Sequence, residues 1–348
     1  MKYSLIEILW CSLFNQHLLE PTDDIDLLVR DTCGVQAQYL HFALQAIKAR
    51  HSNKEPYTQN LIRTWTVRGT LHLISETDYD MFIKSTQNEW FHRWSVYLNK
   101  YLSPNEREYW RSRILELIKG GIRSKEELSL ELKKGNTDSD IINIILSPWG
   151  GILKDLAYQG KIIYDGLLNN KFKEIQFKAG MDESESKKEL LLRYISSYGP
   201  ATVQDFAYWS QFKISESKAL IKEVRDSLST ISDVEGNEYY YVPQNNTRYD
   251  CPIPRVIYLI SFDPLLLAYK DKRRFLKPEY NKLVFTKNGY VNSVIIYDGQ
   301  AIGIWKKEKN CMHINLFHNL SAQAYNVVKN ETYEAFRGEI QDVKIAEV

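Results

Sequence analysis

The chain has 348 residues, 44% of them hydrophobic and 26% charged, with a net charge of only +1. That length exceeds one ordinary core and predicts two to four compact globular units. It contains no run of roughly eighteen apolar residues, so no membrane span is expected, and near-neutral charge argues against a simple polycationic coat for nucleic acid. Glu7 interrupts the first apolar run and no signal-peptide cleavage pattern follows it. Cys11, Cys33, Cys251 and Cys311 lie far apart, which reads as reduced thiols in a cytoplasmic protein rather than a disulfide framework or a zinc site.

Residues 4–19 read as a helix with Leu5, Ile8, Leu9, Leu13 and Phe14 facing inward. Thr22 to Asp24 is a capping cluster that opens a second helix, ending near residue 32. Gln36-Ala37-Gln38 comes next. Glutamines two apart do not share a helix face, so both amides reach one site only if the backbone is extended or bent there. Gly34 just upstream permits such a bend; the competing reading is an exposed helix start. Behind the pair, Phe42, Leu44, Ala46, Ile47 and Ala49 offer an apolar face for a helix. A polar loop with Pro56 follows, then a helix or turn at 61–66 and a wing-like strand at 70–74. Ser75 caps a helix to about residue 85, and 89–101 extends the helical lobe.

Ser103-Pro104 marks a boundary. Three helices are predicted at 106–120, 124–133 and 139–159, the middle one opened by the capping box Ser124-Lys125-Glu126-Glu127. The third must break or bend at Ser147-Pro148-Trp149-Gly150-Gly151. Strands at 161–164 and 172–177 then pair as a wing, the order of a winged helix. The same layout recurs with helices at 185–197, 202–209 and 215–228 and a hairpin of 231–234 with 239–242. Residues 249–254 form a linker. Short strands at 255–260, 282–285, 291–297, 300–305 and 312–317 suggest a small antiparallel barrel, closed by a helix at 321–338.

The chain resembles the winged-helix DNA glycosylases of the AlkZ/YcaQ type. The resemblance rests on Gln16 to Leu19, Gly34 to Gln38, Arg63 to His72, Leu259 to Tyr269, and the Asp298-Gly299 turn leading to Gly303-Ile304-Trp305, in order over nearly the whole length. It implies an α+β fold of tandem winged-helix units followed by a C-terminal antiparallel β-barrel. The boundaries expected are 1–103, 104–180, 181–248 and 249–348. It also implies a catalytic Gln-x-Gln or Gln-x-Asp pair, here Gln36 and Gln38, closer to the AlkZ pattern because the second member is Gln. Tyr39 departs from the smaller or acidic residue expected after the pair, which bears on lesion choice more than on chemistry.

A glutamine amide is no general base near neutral pH, but it can hold a water and aim its carbonyl dipole at developing positive charge. Hydrolysis of an N-glycosidic bond to an N7- or N3-alkylated purine needs little more. The base is already cationic and leaves neutral, while the sugar passes through an oxocarbenium-like state. The chain lacks a phosphate loop, a His-Glu-x-x-His and a Gly-x-Ser-x-Gly, and no metal or cofactor is expected. Arg63 and Arg68 fit either phosphate clamps or surface charge, and His72 either a groove or the core; Trp65 reads as core. Lys272, Arg273 and Arg274 are expected to touch the DNA backbone, and Lys287-Asn288-Gly289 to form a protruding turn. The reading is a monomeric, monofunctional glycosylase of double-stranded DNA carrying alkylated purines, bulky adducts or crosslinks, with no membrane partner and residence at the nucleoid when bound. A non-catalytic winged-helix regulator is the alternative, and a protein-interaction scaffold a third.

Overall fold

The computed structural model describes residues 2–53, 60–175, 180–243 and 256–347. Pro56 of the polar loop, Phe177 of the first wing, the 249–254 linker with Cys251, and Arg255 lie outside the described residues. The fold is α+β, in two compact units. One comprises Met1–Val35, His41–Pro56 and Leu192–Val348, the other Gln36–Leu40 and Tyr57–Leu191.

In the second unit, Leu61–Trp65 pairs antiparallel with Leu71–Ser75, setting Arg63 opposite Leu73 and Thr64 opposite His72. Val35–Gln36 adds to the free side of Leu71–Ser75. The helix or turn expected at 61–66 is therefore a strand. Every residue from Leu61 to Trp65 is buried, and periodicity cannot separate a short, fully buried run from a helix. The two helices expected between 76 and 101 are one, Tyr79–Leu98. Downstream, Pro104–Lys119 and Lys125–Lys134 are opened by capping boxes at Ser103/Glu106 and Ser124/Glu127. The third helix divides into Ser139–Ile145 and Gly151–Tyr158 across Pro148, as expected. Ile162–Tyr164 and Phe172–Glu174 close the series as an antiparallel hairpin. Trp65, Leu71, Ile114, Leu128, Leu153 and Phe172 share one core. Burying each such side chain contributes about 1.5–3 kcal/mol. Trp65 is a core residue, its ring parallel to that of Phe172.

The first unit opens with Leu5–Asn15, capped by Ser4 and Glu7, and Ile25–Asp31, capped by Asp24. Helices Val203–Ser210 and Ile214–Glu223 precede a hairpin of Ser229–Asp233 with Glu238–Tyr241, to which Lys2–Tyr3 adds a parallel strand. The C-terminal sheet runs Val256–Leu259, Val294–Tyr297, Gln300–Glu308, Cys311–Leu316 and Asp342–Glu347 in spatial order. Here the antiparallel barrel needs correction. Among the described residues the sheet is open at its first and last strands, and Asp342–Glu347 runs parallel to Cys311–Leu316. A parallel neighbour needs a crossover rather than a tight turn, and the helix Ala322–Ala335 supplies it. The strand expected at 282–285 is the short helix Asn281–Val284.

Candidate active site

Gln36 and Gln38 are built onto the second unit's hairpin by main-chain bonds. Val35–Gln36 is extended, the Ala37 N–H donates to the Leu71 carbonyl at 2.7 Å, and the chain bends at Gln38 before the helix Leu40–Lys48 begins. The bend upstream uses Gly34 at φ +78°, a backbone angle that favours glycine. In an extended segment residues two apart share a face. Ala37 is fully buried, while Gln36 and Gln38 are each half-buried on either side of it. Gln36 Oε1 and Gln38 Oε1 both face groups of the Leu61–Ser75 segment, Arg68 Nη2 and the Leu71 N–H respectively. Tyr39 follows them, exposed.

Polar groups around the pair form an ordered chain. Arg68 lies in the turn between the paired strands, with left-handed backbone at φ 57°. Its Nη2 donates to Gln36 Oε1 at 2.9 Å and reaches His72 Nε2 at 3.3 Å. His72 Nδ1 sits 3.1 Å from the Thr70 carbonyl and 3.0 Å from Thr66 Oγ1. A carbonyl only accepts and a guanidinium only donates, so Nδ1 carries the proton and Nε2 accepts from Arg68. His72 is 1% exposed, and burial, reinforced by Arg68, pushes its pKa down to about 3. The imidazole is neutral. Gln38 Oε1 faces the Leu71 N–H at 3.5 Å, a long and weak contact.

The turn carrying Arg68 is itself held. Gly69 has φ +66°, and a Cβ there would come within 2.9 Å of the Trp90 ring. Its carbonyl accepts from Lys154 Nζ at 2.8 Å. Lys154 lies 4.3 Å from the Trp94 ring centre, and burial draws its pKa down to about 8. Neither Lys154 nor Trp90 stood out in the sequence.

The other expected site residues sit elsewhere. Arg63 is buried with its guanidinium 4.4 Å over the Tyr164 ring. Lys272 and Arg274 turn inward instead of presenting charge to solvent. Lys272 Nζ donates to the Leu266 carbonyl at 2.6 Å. Arg274 pairs with Asp205 at 3.2 Å, donates to the Pro200 carbonyl at 3.1 Å and stacks 3.5 Å from the Tyr269 ring centre. Surface phosphate contact is thus replaced by internal bracing at Arg63, Lys272 and Arg274. Arg273 alone of the basic triplet is well exposed, shared between Asp271 and Glu235. Lys287 to Gly289 form an exposed turn closed by the Gly289 N–H on the Thr286 carbonyl, as expected. Sequence reasoning missed Arg50 and Asp263, a fully buried bidentate pair at 2.7 and 2.9 Å. Arg50 also donates to the Ala46 carbonyl, tying off the helix that starts behind the glutamines. Among the described residues no group of three or more His, Cys, Asp or Glu is placed to hold a metal, and no helix is long and apolar enough to cross a membrane.

Three comparisons bear on this site. A family model described as "DNA glycosylase AlkZ-like" matches residues 29–343. A relative from Streptomyces sahachiroi, "Interstrand DNA cross-link repair glycosylase", is 27% identical over 297 residues, 79% of this chain and 80% of the relative. The solved structure "Streptomyces sahachiroi DNA glycosylase AlkZ" superposes with a TM-score of 0.82, covering 100% of both chains at 21% identity, a likeness of fold.

Proposed function

The chain belongs to the AlkZ-like DNA glycosylase family, and from that premise we propose that it hydrolyses the N-glycosidic bond of cationic N7- and N3-alkylated purines in double-stranded DNA, with Gln36 and Gln38 as catalytic residues. It is a DNA glycosylase. The relative's name extends the proposed range to interstrand crosslinks, and we carry bulky adducts with them as part of the proposal.

The observation that carries the reading is Gln36, its carboxamide oxygen accepting from Arg68 at 2.9 Å beside a histidine held neutral, with Gln38 two residues on at the bend. Such a site offers dipoles and no titrating group, which suits a leaving group that needs no acid. Gln36 and Gln38 hold a water against C1′ of the sugar. As the C1′–N bond breaks, its electron pair returns to the purine and cancels the positive charge there. Carbonyl dipole faces the sugar cation. The water oxygen then bonds to C1′, and its surplus proton passes to solvent, because a carboxamide does not keep it.

Around this chemistry we assign winged-helix roles to the helical units, with divisions near residues 103, 180 and 248. Arg273 and the Lys287 turn are the exposed candidates for DNA backbone contact. The protein acts as a cytoplasmic monomer that associates with the nucleoid through DNA. Incubation with DNA containing N7-methylguanine, followed by alkali cleavage and detection of the free base, tests the activity. Release of N7-methylguanine is expected. Binding without release would leave the reading of a non-catalytic DNA-binding regulator.

A further inference from the structure

We infer that Arg68, seated on neutral His72, is a positioning residue that fixes which end of the Gln36 carboxamide faces the reaction, and so gives the two glutamines different tasks. The inference rests on the glycosylase reading and on the assignment of Gln36 to the site.

A carboxamide is two-faced. Its oxygen accepts, its nitrogen donates, and a rotation about the last side-chain bond exchanges them. A glutamine with several rotatable bonds and no fixed partner presents either end. At Gln36 the choice is made. Arg68 Nη2 stands 2.9 Å from the carboxamide, and a guanidinium has no lone pair to offer an N–H. Only Oε1 can face it, so the Nε2 donors are turned the other way. Arg68 has no comparable freedom. The two hydrogens of its Nη2 are spent on Gln36 Oε1 and His72 Nε2. The imidazole is oriented in turn by Thr66 and Thr70. The turn beneath is seated by Gly69 against Trp90 and by the Lys154 bond to the Gly69 carbonyl.

Charge then separates the roles. A guanidinium behind Gln36 Oε1 opposes any use of that oxygen to stabilise a sugar cation. Among the described residues the Gln38 oxygen has only the 3.5 Å contact with the Leu71 N–H. Gln38 is therefore the acceptor turned toward the cation and the water's proton, while the Gln36 N–H donors hold the water oxygen. This departs from a phosphate-clamping role for Arg68, which would direct Nη2 outward.

The test is a double-mutant cycle in single-turnover release of N7-methylguanine by full-length protein. Arg68→Ala should slow release about 10–100-fold, the scale of a lost preorganised dipole. In a Gln36→Ala background the same change should add no more than about twofold, because the group it positions is gone. Added guanidinium should restore part of the Arg68→Ala rate and none of the rate of Gln36→Ala with Arg68→Ala. Arg68→Lys keeps the charge but lacks the fork, and should fall between wild type and Arg68→Ala with an unchanged melting temperature. Were Arg68→Ala to misfold, the Arg68→Lys cycle alone carries the test. Equal slowing by the Arg68 change in both Gln36 backgrounds overturns the inference and leaves the glycosylase reading standing. A fall of about one in the salt slope of binding would mark Arg68 as a phosphate contact and overturn it too. No release by wild type sinks both.

Discussion

His72 gives the most quantitative consequence of the site's construction. Its imidazole is fully buried and neutral, with its pKa pushed from 6.5 down to about 3, first by burial and then by Arg68. Between those values the unfolded chain binds a proton at this position and the folded chain does not. Stability therefore falls as pH drops from about 6.5 toward 3, and the contribution is complete above the unfolded value. Each unit is worth about 1.4 kcal/mol, so roughly 2.7 kcal/mol is lost by about pH 4.5 and about 5 kcal/mol at the limit. Acid also protonates carboxylates throughout the molecule. A His72→Gln variant, which cannot titrate, isolates the term. Hydrogen-exchange protection of the Leu71 and Leu73 amides, referenced to intrinsic rates at each pH, should weaken between about pH 7 and 4.5 by roughly 2.7 kcal/mol more in wild type than in the variant. An equal loss in both proteins would mean that His72 takes up a proton without penalty, and the argument for a neutral imidazole would fail.

Other consequences concern the buried charges around the two units. Arg50→Met strands the Asp263 carboxylate, both groups being fully buried, and should cost about 3–5 kcal/mol by urea unfolding. Arg50→Met with Asp263→Leu should recover much of that cost; no recovery would deny that the pair is coupled. Lys154 has a folded pKa near 8 against 10.5 unfolded, so stability should rise as pH climbs from about 8 to 10.5, by on the order of 3 kcal/mol. That rise should vanish in Lys154→Met, and its persistence there would assign it to another group. Arg273 is half-exposed between two carboxylates, and Arg273→Ala should change stability by less than about 1 kcal/mol while flattening the salt slope of DNA binding by about one. An unchanged slope would take Arg273 off the DNA-binding surface.

Local signals were the legible ones. Ser124 with Glu127 caps the helix it was expected to cap, Asp24 opens its helix, and Pro148 breaks the third helix of its series. The extended backbone at Val35–Gln36 and the bend at Gln38 are what the spacing asks of two amides sharing a site, and the competing exposed helix start does not occur there. What failed depended on distant partners. Leu61–Trp65 reads as a helix or turn until Leu71–Ser75 is laid beside it, and Asn281–Val284, with only Leu283 and Val284 apolar, is too short to declare itself. The strand Asp342–Glu347 carries charge at Asp342, Lys344 and Glu347 and became a strand by pairing with Cys311–Leu316 across a helical crossover. Cations were the hardest to place. A basic triplet reads as a surface patch, yet Arg274 finds Asp205 sixty-nine positions away and turns inward, while Arg273 stays out. Nor does sequence spacing announce the Arg50–Asp263 pair, whose members are 213 positions apart.

The central claim is that two glutamines, with no titrating group, break the glycosidic bond of a cationic purine. Single-turnover release of N7-methylguanine by wild type, Gln36→Ala, Gln38→Ala and the double variant tests it most directly. Each single change should slow release by about 10–1,000-fold, the cost of one preorganised dipole, with DNA affinity held within a few fold. The wild-type rate should vary little across neutral pH, and neutral lesions should be released far more slowly than N7- or N3-alkylpurines. Near wild-type release by the double variant would contradict the claim and remove the pair from catalysis.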